Sequence, residues 1–155
     1  MAGKRYWLVK SEPSVYSLEQ LRVDGSTLWT GVRNYQARNF LKEMQVGDLL
    51  LYYHSNDEPI GVFGIAKVLK TAEPDPTQFD KSSEYYDSKS TRDNPRWFCP
   101  TVGFVEAFCR EIKRADLQEC KELKNMILLQ RGSRLSVQPV TGDEFDFIVS
   151  LGRSE

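Results

Sequence analysis

Apolar positions along this chain follow two different rhythms. Tyr6-Trp7-Leu8-Val9-Lys10 is a run of strand-forming types that Ser11-Glu12-Pro13 breaks. A short helix is expected next, because Ser17 and Gln20 have capping-box spacing, Leu18 and Leu21 share a face, and Gly25 ends the segment. Asn34 is placed to cap a second helix in which Ala37, Phe40, Leu41 and Met44 fall at i, i+3, i+4 and i+7 before Gly47 closes it. Leu49 to Tyr53 then reads as a strand buried on both faces. The turn at Asn56-Asp57-Glu58-Pro59 leads into a second strand, Ile60 to Leu69, so the two form a hairpin. Gly61 and Gly64 inside that strand point to bulges or close backbone approach.

Residues 71–96 have no clear period and hold Pro, Asp and Ser, the pattern of a long loop that is mobile or functional. A strand is expected again at Thr101–Ile112, short helices near Asp116–Glu119 and Met126–Leu129, a strand at Leu135–Val137 and a last helix over Gly142–Leu151 with an acidic first turn. Strands mixed with short helices, without regular strand–helix alternation, predict an α+β domain built on a small curved barrel, closed or nearly closed.

Length changes this picture little: 155 residues make one domain able to bury a core without disulfides or metal. Cys99, Cys109 and Cys120 are odd in number and lack the close pairs of zinc sites, so free thiols in a reducing compartment are expected. No signal peptide or membrane-spanning run is visible, which predicts an intracellular, soluble protein that does not engage membranes. With 21 Lys+Arg against 22 Asp+Glu, the net charge of −1 excludes a polycation that coats nucleic acid through bulk charge. The balance is uneven, however, since residues 1–54 hold seven bases and five acids.

Catalytic chemistry has few carriers. His54 beside Ser55 lacks a carboxylate to orient it, and a single structural hydrogen bond accounts for it better. No P-loop, dinucleotide fingerprint or metal-spaced cluster is present, so no cofactor is expected. Trp29 to Asn39 is more informative, because Arg33 and Arg38 sit near a helix start, where cations are mildly disfavoured. An anionic partner such as phosphate explains them; pairing with Glu12 or Asp48, with Trp29 and Tyr35 in the core, is the competing account. Asn94-Pro95-Arg96-Trp97-Phe98 and Gln130-Arg131-Gly132-Ser133-Arg134 add arginines at strand edges. Trp97 and Tyr85-Tyr86 offer faces for base stacking, or else anchor the loop.

Together, Trp7-Leu8-Val9-Lys10-Ser11-Glu12-Pro13, Trp29 to Asn39, Val46 to Ser55, Asn94 to Trp97 and Arg134 to Val140, in this order, resemble the EVE domain family. The likeness runs from about residue 6 to 151. It implies a PUA-like fold, a curved β-barrel of five to six strands with flanking short helices, related to YTH and ASCH domains. It also implies a non-enzymatic module that takes a modified base of DNA, a modified cytosine or methylated adenine, into an aromatic pocket. Ser11, Trp29, Asn34, Tyr35, Tyr53, Ser55 and Trp97 are then expected around the base, and Arg33, Arg38, Arg96 and Arg131 on the nucleic-acid backbone. The expected location is cytoplasmic in a bacterium and nuclear in a eukaryote. A small ASCH-like hydrolase of modified nucleosides, using Lys10 or Glu12 beside Ser11, and a reader of modified RNA are the alternatives.

Overall fold

The computed structural model describes residues 4–132 and 134–154. Its frame is a six-stranded mixed sheet: β1 (Tyr6–Ser11), β2 (Ser26–Leu28), β3 (Leu49–His54), β4 (Gly61–Pro74), β5 (Phe98–Lys113) and β6 (Val137–Val140), in the order β2-β5-β4-β3-β1-β6. Around it lie α1 (Pro13–Tyr16), α2 (Leu18–Asp24), α3 (Tyr35–Glu43), α4 (Arg114–Gln118) and α5 (Gly142–Arg153), with one-turn 3-10 helices at Pro76–Phe79, Lys121–Leu123 and Ile127–Leu129. The α+β class and the curved, PUA-like architecture stand.

Both faces of the central strands are buried, which explains their near-continuous apolar sequences. Leu8, Leu51, Tyr53, Val62 and Ile65 enter one cluster with Leu117, Phe145 and Ile148 from α4 and α5. Trp7, Val9, Leu50 and Tyr52 alternate into a second with Leu18, Leu21 and Leu41 from α2 and α3. Helix starts follow the sequence signals. The Ser17 side chain accepts the Gln20 N–H, and Asn34 accepts the Ala37 N–H at 2.9 Å. A full capping box joins Thr141 and Glu144 at α5.

Curvature comes from the long β4–β5 hairpin, whose register shifts at four places, and from a shift in β3–β4 between Tyr52 and Tyr53. At Gly64 a side chain has no room, since an added Cβ would run into the Glu106 carbonyl and lie 2.6 Å from Leu18.

Several sequence expectations are corrected. Of the closed or nearly closed barrel expected, the closed form is the one set aside: among the described residues the curved sheet is not closed, with the three-residue β2 and four-residue β6 as its edges. β2 itself had no visible pattern. β4 extends to Pro74 because its outer half pairs with β5 as far as Phe98. α3 stops at Glu43, before Gly47, because Met44 has extended backbone. The Pro13 break starts an extra helical turn, the apolar stretch at 127–129 is 3-10, and the last strand sits two residues later than expected, at Val137–Val140.

Candidate functional site

Most strand neighbours here are antiparallel, but β1 and β3 run parallel, with Ser11 opposite His54. Their C-terminal ends therefore open at the same edge, and the Ser55 N–H donates to the Ser11 carbonyl at 3.1 Å. β6 joins them there, because the Lys10 N–H donates to Ser136 at 2.9 Å. Across from these ends lies the segment after β2, held by the Trp29 N–H to the Pro100 carbonyl at 2.9 Å. Between the two is an open cavity of about 670 Å³, within the size range of small-molecule sites.

Its strand side carries Lys10, Ser11, Glu12, Ser55, Asn56 and Ser136, its far side Trp29, Thr30, Gly31, Val32 and Arg33. Tyr85 closes the rim. A lobe of about 220 Å³ continues toward Tyr16, Thr27 and Leu28, sharing Ser11, Val15, Trp29, Thr30 and Tyr85 with the main cavity. Trp29 is only 8% exposed and meets Tyr52 edge-on at 5.5 Å, so core packing fixes the aromatic surface that it turns to the cavity.

Tyr85 reaches the rim because the polar loop is tied down by a buried network. Asp75, fully buried, accepts the Gly31 N–H at 2.8 Å, the Thr77 N–H at 2.8 Å and hydroxyl at 2.6 Å, and Arg33 at 3.1 Å. Burial pushes its carboxyl up, but the bonds from Thr77, Gly31 and Arg33 outweigh it and hold the group below the usual carboxylate range. Arg33 spends its other donors on the Tyr85 carbonyl, at 3.0 and 2.8 Å, on Thr77 and on Val32. Gly31 has φ +89°, and an added Cβ would sit 2.9 Å from the Tyr85 ring.

Of the residues expected around a base, the cavity brings together Ser11, Trp29 and Ser55, with Arg33 at its edge. The others are elsewhere for identifiable reasons. Asn34 has its side-chain oxygen committed to capping α3. Tyr53 faces the opposite way from Tyr52 and is 2% exposed in the first core cluster. Tyr35 stacks on Trp97 outside the cavity, with centroids 4.8 Å apart and planes at 19°, and the Trp97 indole N–H donates to Asp87 at 2.7 Å. Arg38 and Arg96 flank that stack. Arg131 is exposed after the 127–129 turn and does not line the cavity; Ser133 lies outside the described residues. Arg33 pairs with Asp75, neither with Glu12 nor with Asp48.

Asp75 and Gln78 carry no sequence signal, since nothing in an aperiodic loop distinguishes a buried polar group. Lys10 and Glu12 do line the cavity. Burial, then the nearby Arg114, lowers the Lys10 pKa, and the Asn56 amide donates to Glu12. His54 makes the structural bond expected of it, its Nε2 accepting the Leu18 N–H at 3.2 Å while its ring stacks on Phe63. Among the described residues no helix is long and apolar enough to cross a membrane.

Residues 5–151 match the family model described as EVE domain. Human thymocyte nuclear protein 1 is 43% identical over 97% of this chain and 75% of its own length. Among solved structures, a Pseudomonas putida protein superposes with TM-score 0.93 at 46% identity, covering 95% of this chain and 99% of its own. Human THYN1 protein, in complex with 5-methylcytosine containing DNA, superposes with TM-score 0.92 at 43% identity, covering 98% and 99%. An ASCH protein of Zymomonas mobilis shares the fold, with TM-score 0.51 at 13% identity over 96% of this chain and 99% of its own. Motif order, topology and these matches agree, and the chain belongs to the EVE domain family.

Proposed function

We propose that this domain is a non-enzymatic DNA-binding module that receives a modified base, 5-methylcytosine first among them, in the cavity between Trp29 and Tyr85. The observation that carries the reading is the composition of that cavity: aromatic surface on one side, hydroxyl, amide and charged groups on the other, in a volume of about 670 Å³. A base taken out of the stack needs flat apolar surface and a few donors and acceptors at its edge. Trp29 and Tyr85 supply the first; Ser11, Ser55 and Asn56 supply the second. The relative solved with 5-methylcytosine containing DNA, similar over nearly the whole chain, supports the ligand class.

Titrations with matched duplexes carrying cytosine or 5-methylcytosine test it, with 2-aminopurine beside the target base to report unstacking. Tyr85→Ala is the cleaner variant, because Trp29 also packs in the core. Losing one stacking face is expected to weaken binding of the methylated duplex about 5- to 150-fold. Equal affinity of wild type for both duplexes, unchanged by Tyr85→Ala, overturns the proposal. Lys10 and Glu12 on the same wall favour, as a second reading, a hydrolase of modified nucleosides. Turnover of acylated nucleosides that Glu12→Gln abolishes would transfer the site to it.

A further inference from the structure

Beyond the cavity rim, a line of cations rests on aromatic rings. The Arg33 guanidinium lies 5.6 Å from the Tyr85 ring and 5.3 Å from that of Trp97, so the rim and the Tyr35–Trp97 stack are continuous. Past it, Arg38 sits 4.8 Å from the Tyr35 ring and 5.9 Å from Trp97, and Lys42, one helical turn further along α3, sits 4.5 Å from Phe98. Arg96 comes within 3.5 Å of the Tyr35 hydroxyl, while Arg38 donates to the Arg96 carbonyl at 2.7 Å.

These three cations differ from Arg33 in one respect. Among the described residues the ion pairs are Arg5–Glu43, Arg22–Glu19, Arg33–Asp75 and Arg153–Glu106, so Arg38, Lys42 and Arg96 have no carboxylate within 4.0 Å. Asp87 feels the charge of Arg96 but forms no ion pair with it, and its oxygen takes the Trp97 indole N–H. Tyr35 is half exposed although stacked, a large aromatic face left at the surface between the cations. Folding alone leaves this charge unneutralised; aromatic rings hold the side chains in place without cancelling it.

We infer that Arg38, Lys42 and Arg96 form a phosphate-contact stripe that tracks the backbone of a DNA duplex beside the cavity, with Tyr35 positioning the two arginines. The assignment rests on the DNA-binding reading above, but it concerns affinity without sequence or modification preference, and that separates the two in experiment. A cation on a phosphate releases counterions, so each contact steepens the salt dependence by about 0.9 in the log–log slope. Between 50 and 200 mM salt this amounts to about 3.5-fold in affinity per contact.

The test compares Arg38→Gln, Lys42→Gln and Arg96→Gln, singly and combined, with Lys121→Gln as a cation outside the stripe, after thermal melts show each variant folded. Both duplexes, methylated and unmethylated, are titrated across that salt range. Each stripe variant is expected to weaken both equally and to reduce the loss of affinity with salt about 3.5-fold, while Lys121→Gln leaves the slope unchanged. An unchanged slope in the triple variant, with methyl preference intact, overturns the stripe and leaves the cavity reading standing. Loss of methyl preference alone in these variants also overturns it. Slope changes seen with RNA and not with duplex DNA reject DNA as the partner, and absence of wild-type binding to any DNA refutes both readings.

Discussion

Replacing Gln78 by Met removes a side chain that uses all four of its hydrogen-bonding positions inside the protein. Its amide donates to the Asp75 and Trp97 carbonyls, both at 2.8 Å, and its oxygen accepts the Arg96 and Trp97 N–H groups, both at 3.0 Å. The four losses are not equal. Trp97 keeps a donor on its carbonyl from the Asp75 N–H at 2.9 Å, and Asp75 keeps the weaker Gln78 N–H at 3.4 Å. Trp97 N–H is left buried without a partner, and the half-buried Arg96 N–H regains water only in part. One full and one partial desolvation penalty, plus the lost bonds, come to about 2–4 kcal/mol. Methionine preserves most of the volume, so a cavity adds little. Urea unfolding followed by tryptophan fluorescence measures the loss as a lower midpoint at unchanged slope. A cost below about 1 kcal/mol would refute the claim that this amide fastens the polar loop to the start of β5.

Two further outcomes follow from the site. Gly31→Ala combines a left-handed backbone, costing about 1–2 kcal/mol, with a methyl 2.9 Å from the Tyr85 ring. In a double-mutant cycle Tyr85→Ala should therefore relieve part of its effect, and strict additivity would exclude the steric coupling. His54 is held neutral by burial, which lowers its pKa, and its Nε2 accepts a backbone N–H. A lowered histidine pKa stabilises the fold above the unfolded value near 6.5 and loses that contribution as pH falls through the folded value. Thermal midpoints measured from about pH 7.5 to pH 5 should drop more steeply in wild type than in His54→Gln, and parallel curves would count against it.

What could be read from sequence was what depends on local chemistry. Ser17, Asn34 and Gly25 marked helix ends because caps act within a few residues, and β1 and β3 were found because both faces are apolar. That same two-sided burial hides the parity of β3: with no polar alternation, nothing in the sequence tells Tyr52 from Tyr53, and Tyr53 faces away from the cavity. β2 was illegible for another reason, since Ser26–Leu28 becomes a strand only by pairing with Thr101–Gly103. Arg33 and Trp97 stand out by residue type, but their partners, Asp75 and Asp87, lie more than 40 and ten residues away in a loop without period.

The near-zero net charge gains a structural meaning from the way these arginines are divided. Arg33 is neutralised by Asp75 and bound to the Tyr85 carbonyl, so its charge holds the cavity wall and adds little to the outer field. Among the described residues, Arg38, Lys42 and Arg96 are left without carboxylate partners on the adjacent surface. A loop of low apolar content is closed by hydrogen bonds to Asp75 and Gln78, which through Arg33 hold Tyr85 at the cavity rim. Arg33 is thus spent on positioning, while Arg38 and Lys42 rest on aromatic rings and Arg96 reaches the Tyr35 hydroxyl, so a chain of net charge −1 still gathers positive charge on one surface beside the cavity.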